Sequence, residues 1–342
     1  MKKPVLAALA AALATAASAQ TLINGAGATF PYPLYSKWFS DYTKVNTAVR
    51  FNYQSIGSGG GINQFTAGTV DFGATDAPMN ADQLAKVPDA IHVPMVLGAV
   101  VITYNAPIEG LRLTQALVAD IFLGRIKKWN DPAIAAVNPS TKLPDANITV
   151  ARRSDGSGTT YVFTDYLSKI SPEWKEQVGT GTSVSWPVGL GGKGNEGVTG
   201  LVKQTPGAIG YVELVYANQN KLAKAILQNK DGNFVAPTLQ ATSAAAAGVA
   251  IPEDYRVSLT NASGKDAWPI AAFTWLLVHK DTRDPVKGEA VAKFLWWAVH
   301  EGQATAASLE YAPLPKPVVV MVEKTIRSLQ VQGKPVSIAS AH

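Results

Sequence analysis

The 342-residue chain contains no cysteine. A protein of this length without disulfides must be held by its core alone. A lipoprotein anchor, which needs a cysteine behind the leader, is excluded as well. Histidine is nearly as scarce. His92, His279, His300 and His342 are scattered, without metal-ligand spacing, so neither a zinc cluster nor a Ser-His-Asp triad finds support. Charged residues make up only 16%, with a formal net charge of +5. That surplus is too mild, without any basic run, to argue for nucleic acid or an acidic membrane. No internal repeat is visible.

What is present begins with a leader. "MKK" is a short basic start, "PVLAALAAALATA" is an apolar stretch too short to span a bilayer comfortably, and Ala17 and Ala19 give an A-x-A cleavage pattern. The expectation is a signal peptide at 1–19 and a mature, soluble, periplasmic chain starting at Gln20. Cleavage would remove Lys2 and Lys3, and with them two of the five net positive charges. Apolar residues are 47% of the whole, ordinary for a globular protein, and the length suggests two domains or one two-lobed unit.

Strand-like and helix-like patterns alternate, which predicts an α/β fold. Strands are expected at 49–56, 69–78, 98–105, 147–153, 207–217 and 271–280. Helices are expected at 62–68, 113–126, 159–170, 243–250 and 288–302, with apolar residues at helical spacing in the longer ones.

Three segments share one pattern, with hydroxyls and glycines where a strand or loop enters a helix. In "GAGATFPYPLYSKWF", Thr29 and Phe30 precede Pro31 and Pro33; in "SIGSGGGINQF", Ser58 precedes three glycines; in "ARRSDGSGTTYVF", Ser157, Gly158 and Thr159 follow two arginines and an aspartate. A helix N-terminus offers unpaired N–H groups and the positive end of the dipole, so it attracts anions. Glycine allows close backbone approach, and Arg152 or Arg153 could add a planar bidentate contact to an oxyanion. Each segment alone is better explained as an N-cap or turn. Three together favour a dehydrated oxyanion site. Two decoys fail. "GLGGKG" has Gly189, Gly191 and Gly194 at dinucleotide spacing, with Glu213 downstream, but Pro187 stands where the first strand should end. Nor is it a P-loop, because Gly194 follows Lys193.

"GAGATFP" (25–31), "IGSGGG" (56–61), "VDFGATDAP" (70–78), "RRSDGSGTTYVFTDYL" (152–167), "WPVGLGGKGNEGV" (186–198), "PGAIGYVE" (206–213) and "DAWPI" (266–270) occur in this order along the chain. Together they resemble the periplasmic phosphate-binding proteins of bacterial phosphate ABC transporters, across essentially the whole mature chain. The resemblance implies a two-lobed periplasmic-binding-protein fold of type II, with two hinge crossovers and the ligand in the inter-lobe cleft. Lobe I is expected at 20–95 and 266–342 and lobe II at 96–265, with the crossovers near "VPMVLG" and "GKDAWPI". It also implies a monomer without cofactor or catalysis that delivers phosphate to the transmembrane permease subunits and their ATPase.

Position by position, the resemblance assigns phosphate contacts to Thr29, Phe30, Ser58, Asp76, Arg153, Ser157, Gly158 and Thr159, and assigns Asp155 to holding the arginine. Asp76 is the odd member, since a carboxylate beside an anion is repulsive. Phosphate near neutral pH carries a proton and can donate to a carboxylate, whereas sulfate cannot. The residue alone reads equally well as a cap on the turn before Pro78. A receptor for another tetrahedral oxyanion, which should lack this carboxylate, and a phosphate-ester hydrolase, which needs a metal or nucleophile that the sequence does not offer, are the alternatives.

Overall fold

The computed structural model describes residues 20–338. The leader expectation at 1–19 lies outside the described residues, as do 339–342. Eight strands carry the architecture: β1 (Thr21–Gly27), β2 (Val49–Ser55), β3 (Phe72–Thr75), β4 (Ala90–Tyr104), β5 (Thr149–Arg153), β6 (Leu190–Gly192), β7 (Ala208–Glu213) and β8 (Ala271–His279). They run in the order β2-β1-β3-β8-β4-β7-β5-β6, and a short strand, Ala223–Lys224, pairs with the end of β4. The helices that matter here are α1 (Tyr32–Val45), α2 (Ser58–Thr66), α3 (Gly158–Ile170), α4 (Gly194–Gln204), α5 (Leu214–Gln219) and α6 (Pro285–Val299).

One strand joins two lobes. β4 is fifteen residues long and buried from His92 onward, which suits its nearly unbroken apolar sequence. Ala90–Ala99 pairs with β8, and Val100–Tyr104 pairs with β7. The exchange of partner falls between Ala99 and Val100. Proline did not end the strand. Instead, Trp275 stands opposite Pro94 and Thr274 opposite Val96, so Met95 is an extra residue. This is a bulge at the one residue that lacks an N–H. The second crossing leads into β8, where Ile270 O accepts Val100 N–H at 2.9 Å and the Trp268 indole donates to Val100 O at 3.0 Å.

Local chemistry explains the helix starts. α1 has proline in its first turn and buries Leu34, Tyr35, Trp38, Phe39 and Tyr42. Phe39 stacks on Phe51 at 4.8 Å, and the Trp38 indole donates to Gly302 O at 2.8 Å. α3 is capped by the Ser157 side chain, which accepts Thr160 N–H. Several expected bounds shift, two of them instructively. The expected strand at 207–217 ends at Glu213, whose carboxylate caps α5 by accepting Val215 N–H at 2.7 Å. The expected helix at 62–68 begins at Ser58 and contains the three glycines.

The glycines are there for closeness. A Cβ on Gly61 would lie 2.5 Å from Gly27 Cα and 2.6 Å from Ala74 O, so α2 rests directly on the backbones of β1 and β3. These atoms cannot move aside, and crowding outweighs the ~1 kcal/mol that alanine offers a helix. Gly61→Ala should therefore lose about 1–3 kcal/mol net, whereas Gly200→Ala, in α4 with nothing within 4 Å of its Cβ, should be neutral or stabilising. Denaturant unfolding of both variants checks the contrast, and equal midpoints would refute the packing argument.

Candidate functional site

Three helix starts and one strand end meet where the lobes face each other. β1 runs into Thr29 and Phe30 ahead of α1; Ser58 opens α2; Asp76 directly follows β3; and β5 ends at Arg153, followed by Asp155 and the start of α3. The structure brings every one of these sequence-predicted residues to this junction. All but Asp155 are buried; Asp76 is 1% exposed and Arg153 3%. Phe30 contributes backbone at most, because its ring lies in the core against Tyr311 at 6.3 Å.

Arg153 is held rigidly. Its Nε and Nη2 donate to Asp155 Oδ1 and Oδ2 at 2.8 and 2.5 Å, and Nη1 reaches Thr159 Oγ1 at 3.4 Å. Its backbone N–H donates to the Tyr211 hydroxyl at 3.2 Å, and that ring stacks on Phe163 at 4.4 Å. Asp155 also accepts Gly194 N–H at 3.0 Å. Partial burial pushes the Asp155 carboxyl up, but the Arg153 hydrogen bonds and charge outweigh it, so it stays below its ordinary value. A guanidinium has five N–H groups, and the contacts named use three.

Asp76 faces this pair from the other lobe. Thr274 donates to its Oδ1 at 2.7 Å, its own N–H donates to Ser58 Oγ at 3.1 Å, and Ser58 Oγ lies 3.4 Å from Oδ2. The turn before Pro78 is capped by Thr75, whose Oγ1 accepts Ala77 N–H at 3.0 Å, so Asp76 is not needed as a cap. Burial pushes the Asp76 carboxyl up to about 7, against the opposing pull of Thr274, Arg153 and Ser58. Gly158 stands directly opposite: a Cβ there would collide with Ser58 Oγ and sit 2.5 Å from Asp76 Oδ2. The lobes touch at Gly59 N–H, which donates to Gly156 O at 2.9 Å, and at the Tyr216 hydroxyl, which donates to Thr29 O at 2.6 Å. The result is a buried cluster of hydroxyls, helix-start N–H groups and one arginine, with one carboxyl, Asp76, that can accept or donate near neutrality.

Comparison with known proteins places the chain in a family. A family model described as a PBP superfamily domain matches residues 14–301. A phosphate-binding protein PstS of Pasteurella multocida is 49% identical over 324 residues, covering 93% of this chain and 93% of that protein. The chain belongs to the PstS family of the PBP superfamily. The PstS of Haemophilus influenzae is also 49% identical, over 88% of this chain and 91% of that protein. Among solved structures, a phosphate-binding protein from Stenotrophomonas maltophilia superposes with a TM-score of 0.71 at 18% identity, over 89% and 94% of the two chains. That likeness establishes the two-lobed α/β fold of type II, as the resemblance implied.

Three residues of this PstS-family junction were missed by reading the sequence. Asn195, the second residue of α4, donates to both Thr29 and Thr159. Tyr216 binds the Thr29 carbonyl. Thr274 holds Asp76. Only Thr274 left a readable signal: one hydroxyl in the buried strand "AAFTWLLVH" needs a partner. The "GLGGKG" segment does run from a strand into a helix, but the strand is three residues long and Glu213 caps α5, far from the geometry a dinucleotide needs.

The raised Asp76 pKa has a sign that can be tested. Folding favours the protonated carboxyl, so stability is fully present below the unfolded value of about 4 and is lost as pH rises through about 7. Ligand-free Asp76→Asn should therefore be more stable than wild type at pH 8, by an amount on the order of 4 kcal/mol. The advantage should vanish near pH 4. Urea unfolding at pH 5 and 8 checks this, and a variant less stable at pH 8 would refute it.

Proposed function

We propose that this chain binds inorganic phosphate in the cleft between its lobes and delivers it, in the periplasm, to the permease subunits of an ABC importer driven by their ATPase. It acts as a monomeric carrier without cofactor and without catalysis. Lobe I is residues 20–95 and 266–342 and lobe II is 96–265, and the exchange of β4 partners at Ala99–Val100 supports that division. The proposed ligand contacts are the hydroxyls of Thr29, Ser58, Ser157 and Thr159, backbone N–H groups including those of Phe30 and Gly158, the Arg153 guanidinium, and Asp76.

The observation that carries this reading is Asp76 as a buried carboxyl in a wall of donors. Every other polar group can satisfy a bare anionic oxygen. Ionised Asp76 is the strongest acceptor among them for the proton of a hydrogen phosphate, and its elevated pKa keeps such a proton shareable near neutrality. Where the pH is above about 7 and Asp76 is ionised, a sulfate would set two anionic oxygens against each other in this buried site. Leaving a buried charge unpaired in this way costs about 2–5 kcal/mol, or roughly 30- to several-thousand-fold in affinity. Thr29, Ser58 and Asp76 belong to one lobe and Arg153 to Thr159 to the other, so a ligand that bridges them favours the closed form. That form is the one a permease would recognise.

Calorimetry on the mature, phosphate-stripped protein tests the assignment. Phosphate should bind tightly, and sulfate should bind at least ~30-fold more weakly. Asp76→Asn should narrow the gap by weakening phosphate and admitting sulfate. Wild-type protein that binds the two anions equally would overturn the role given to Asp76.

A further inference from the structure

Asn195 is fully buried at the first turn of α4 and makes four hydrogen bonds. Its Oδ1 accepts Glu213 N–H at 2.9 Å. A backbone N–H can only donate, so this contact fixes which end of the amide is oxygen and which is nitrogen. The NH2 group must then donate in both of its contacts: to Thr29 Oγ1 at 2.8 Å and to Thr159 Oγ1 at 3.1 Å. Asn195 backbone N–H also donates to Thr29 Oγ1, at 3.2 Å.

Counting lone pairs gives the consequence. A hydroxyl has two acceptor positions and one proton. Thr29 Oγ1 accepts twice, from the Asn195 side chain and backbone. Thr159 Oγ1 also accepts twice, from Asn195 and from Arg153 Nη1 at 3.4 Å. Both oxygens are saturated as acceptors, and each has only its proton left to offer. Hydroxyls are otherwise ambivalent and can turn a lone pair toward an incoming anion, which would repel it.

We propose that Asn195 is a positioning residue that commits the Thr29 and Thr159 hydroxyls to donate toward the bound oxyanion. It acts through the two threonines and need not touch the ligand. The inference rests on the phosphate reading above and deepens it by naming what sets the direction of two of its hydrogen bonds. Because Asn195 and Thr29 belong to different lobes, Thr29 is committed only when the lobes close. Selectivity for an acceptor-rich anion is thus completed by closure rather than present in each lobe beforehand.

The test is a double-mutant cycle read by phosphate calorimetry, with Asn195→Ala, Thr29→Val and the pair. Asn195→Ala should lose about 10- to 100-fold in phosphate affinity, the range for one or two charge-assisted hydrogen bonds. In the Thr29→Val background the same change should cost markedly less, by a factor of about 5 or more, because one of its two clients is gone. Damage that does not pass through Thr29 would cost the same in both backgrounds, and additivity would overturn the proposal. Asn195→Asp is the second probe. It keeps the shape and the Glu213 contact but replaces two donors with an acceptor. It should bind phosphate more weakly than Asn195→Ala, and recover relative to wild type as pH is lowered toward 5. An Asn195→Asp protein equal to wild type would also overturn the proposal. Wild-type protein that binds no phosphate would instead bring down the underlying reading, and this one with it.

Discussion

Arg153 meets the cleft with its charge already matched by Asp155. That constraint governs the rest of the site. An anion entering here finds little net positive charge, so its affinity must come from directed hydrogen bonds in a place that excludes water. Exclusion of water requires the lobes to meet, which explains the glycines at the contact. Gly57 has φ +90° and its Cβ would lie 2.5 Å from Asp155 Oδ2; Gly59 touches Gly156. It also explains why so much of the surrounding structure serves orientation. Tyr211 holds the Arg153 backbone, Thr274 holds Asp76, and Asn195 holds two hydroxyls.

The same arrangement assigns different work to two aspartates that look alike in sequence. Asp155 is locked to a guanidinium and stays ionised. Asp76 is more deeply buried and lacks a direct cationic partner, so its proton is nearly in balance at neutral pH. The difference is one of environment, and it separates a scaffold acid from one able to exchange a proton with a ligand.

Much of this was legible in the sequence because it is local. Ser157 caps the helix that it precedes, and the apolar runs of β4 and β8 form buried strands. The candidate site residues could be named because they lie in short contiguous motifs, "GAGATFP", "IGSGGG", "VDFGATDAP" and "RRSDGSGTTYVFTDYL", that carry the family resemblance. What escaped was decided by tertiary contact. Glycine's poor helix propensity argues for starting a helix after Gly61, yet α2 starts at Ser58 because only glycine lets it lie on β1 and β3. Pro94 reads as a strand breaker, yet the chain absorbs it as a bulge opposite the Thr274–Trp275 step. Asn195 resembles any asparagine near a helix start; its partners Thr29 and Thr159 are 166 and 36 residues away, and no window of sequence contains all three.

The place of β8 in the sheet has a consequence for how the chain comes together. β8 lies between β3 and β4, yet Thr75 pairs with Trp275 across 200 residues of chain. The first lobe's sheet therefore lacks a central strand until nearly the whole polypeptide has been made. Its early strands pair with one another but cannot join β4 until β8 is in place, and pairing over such separation is intrinsically slow.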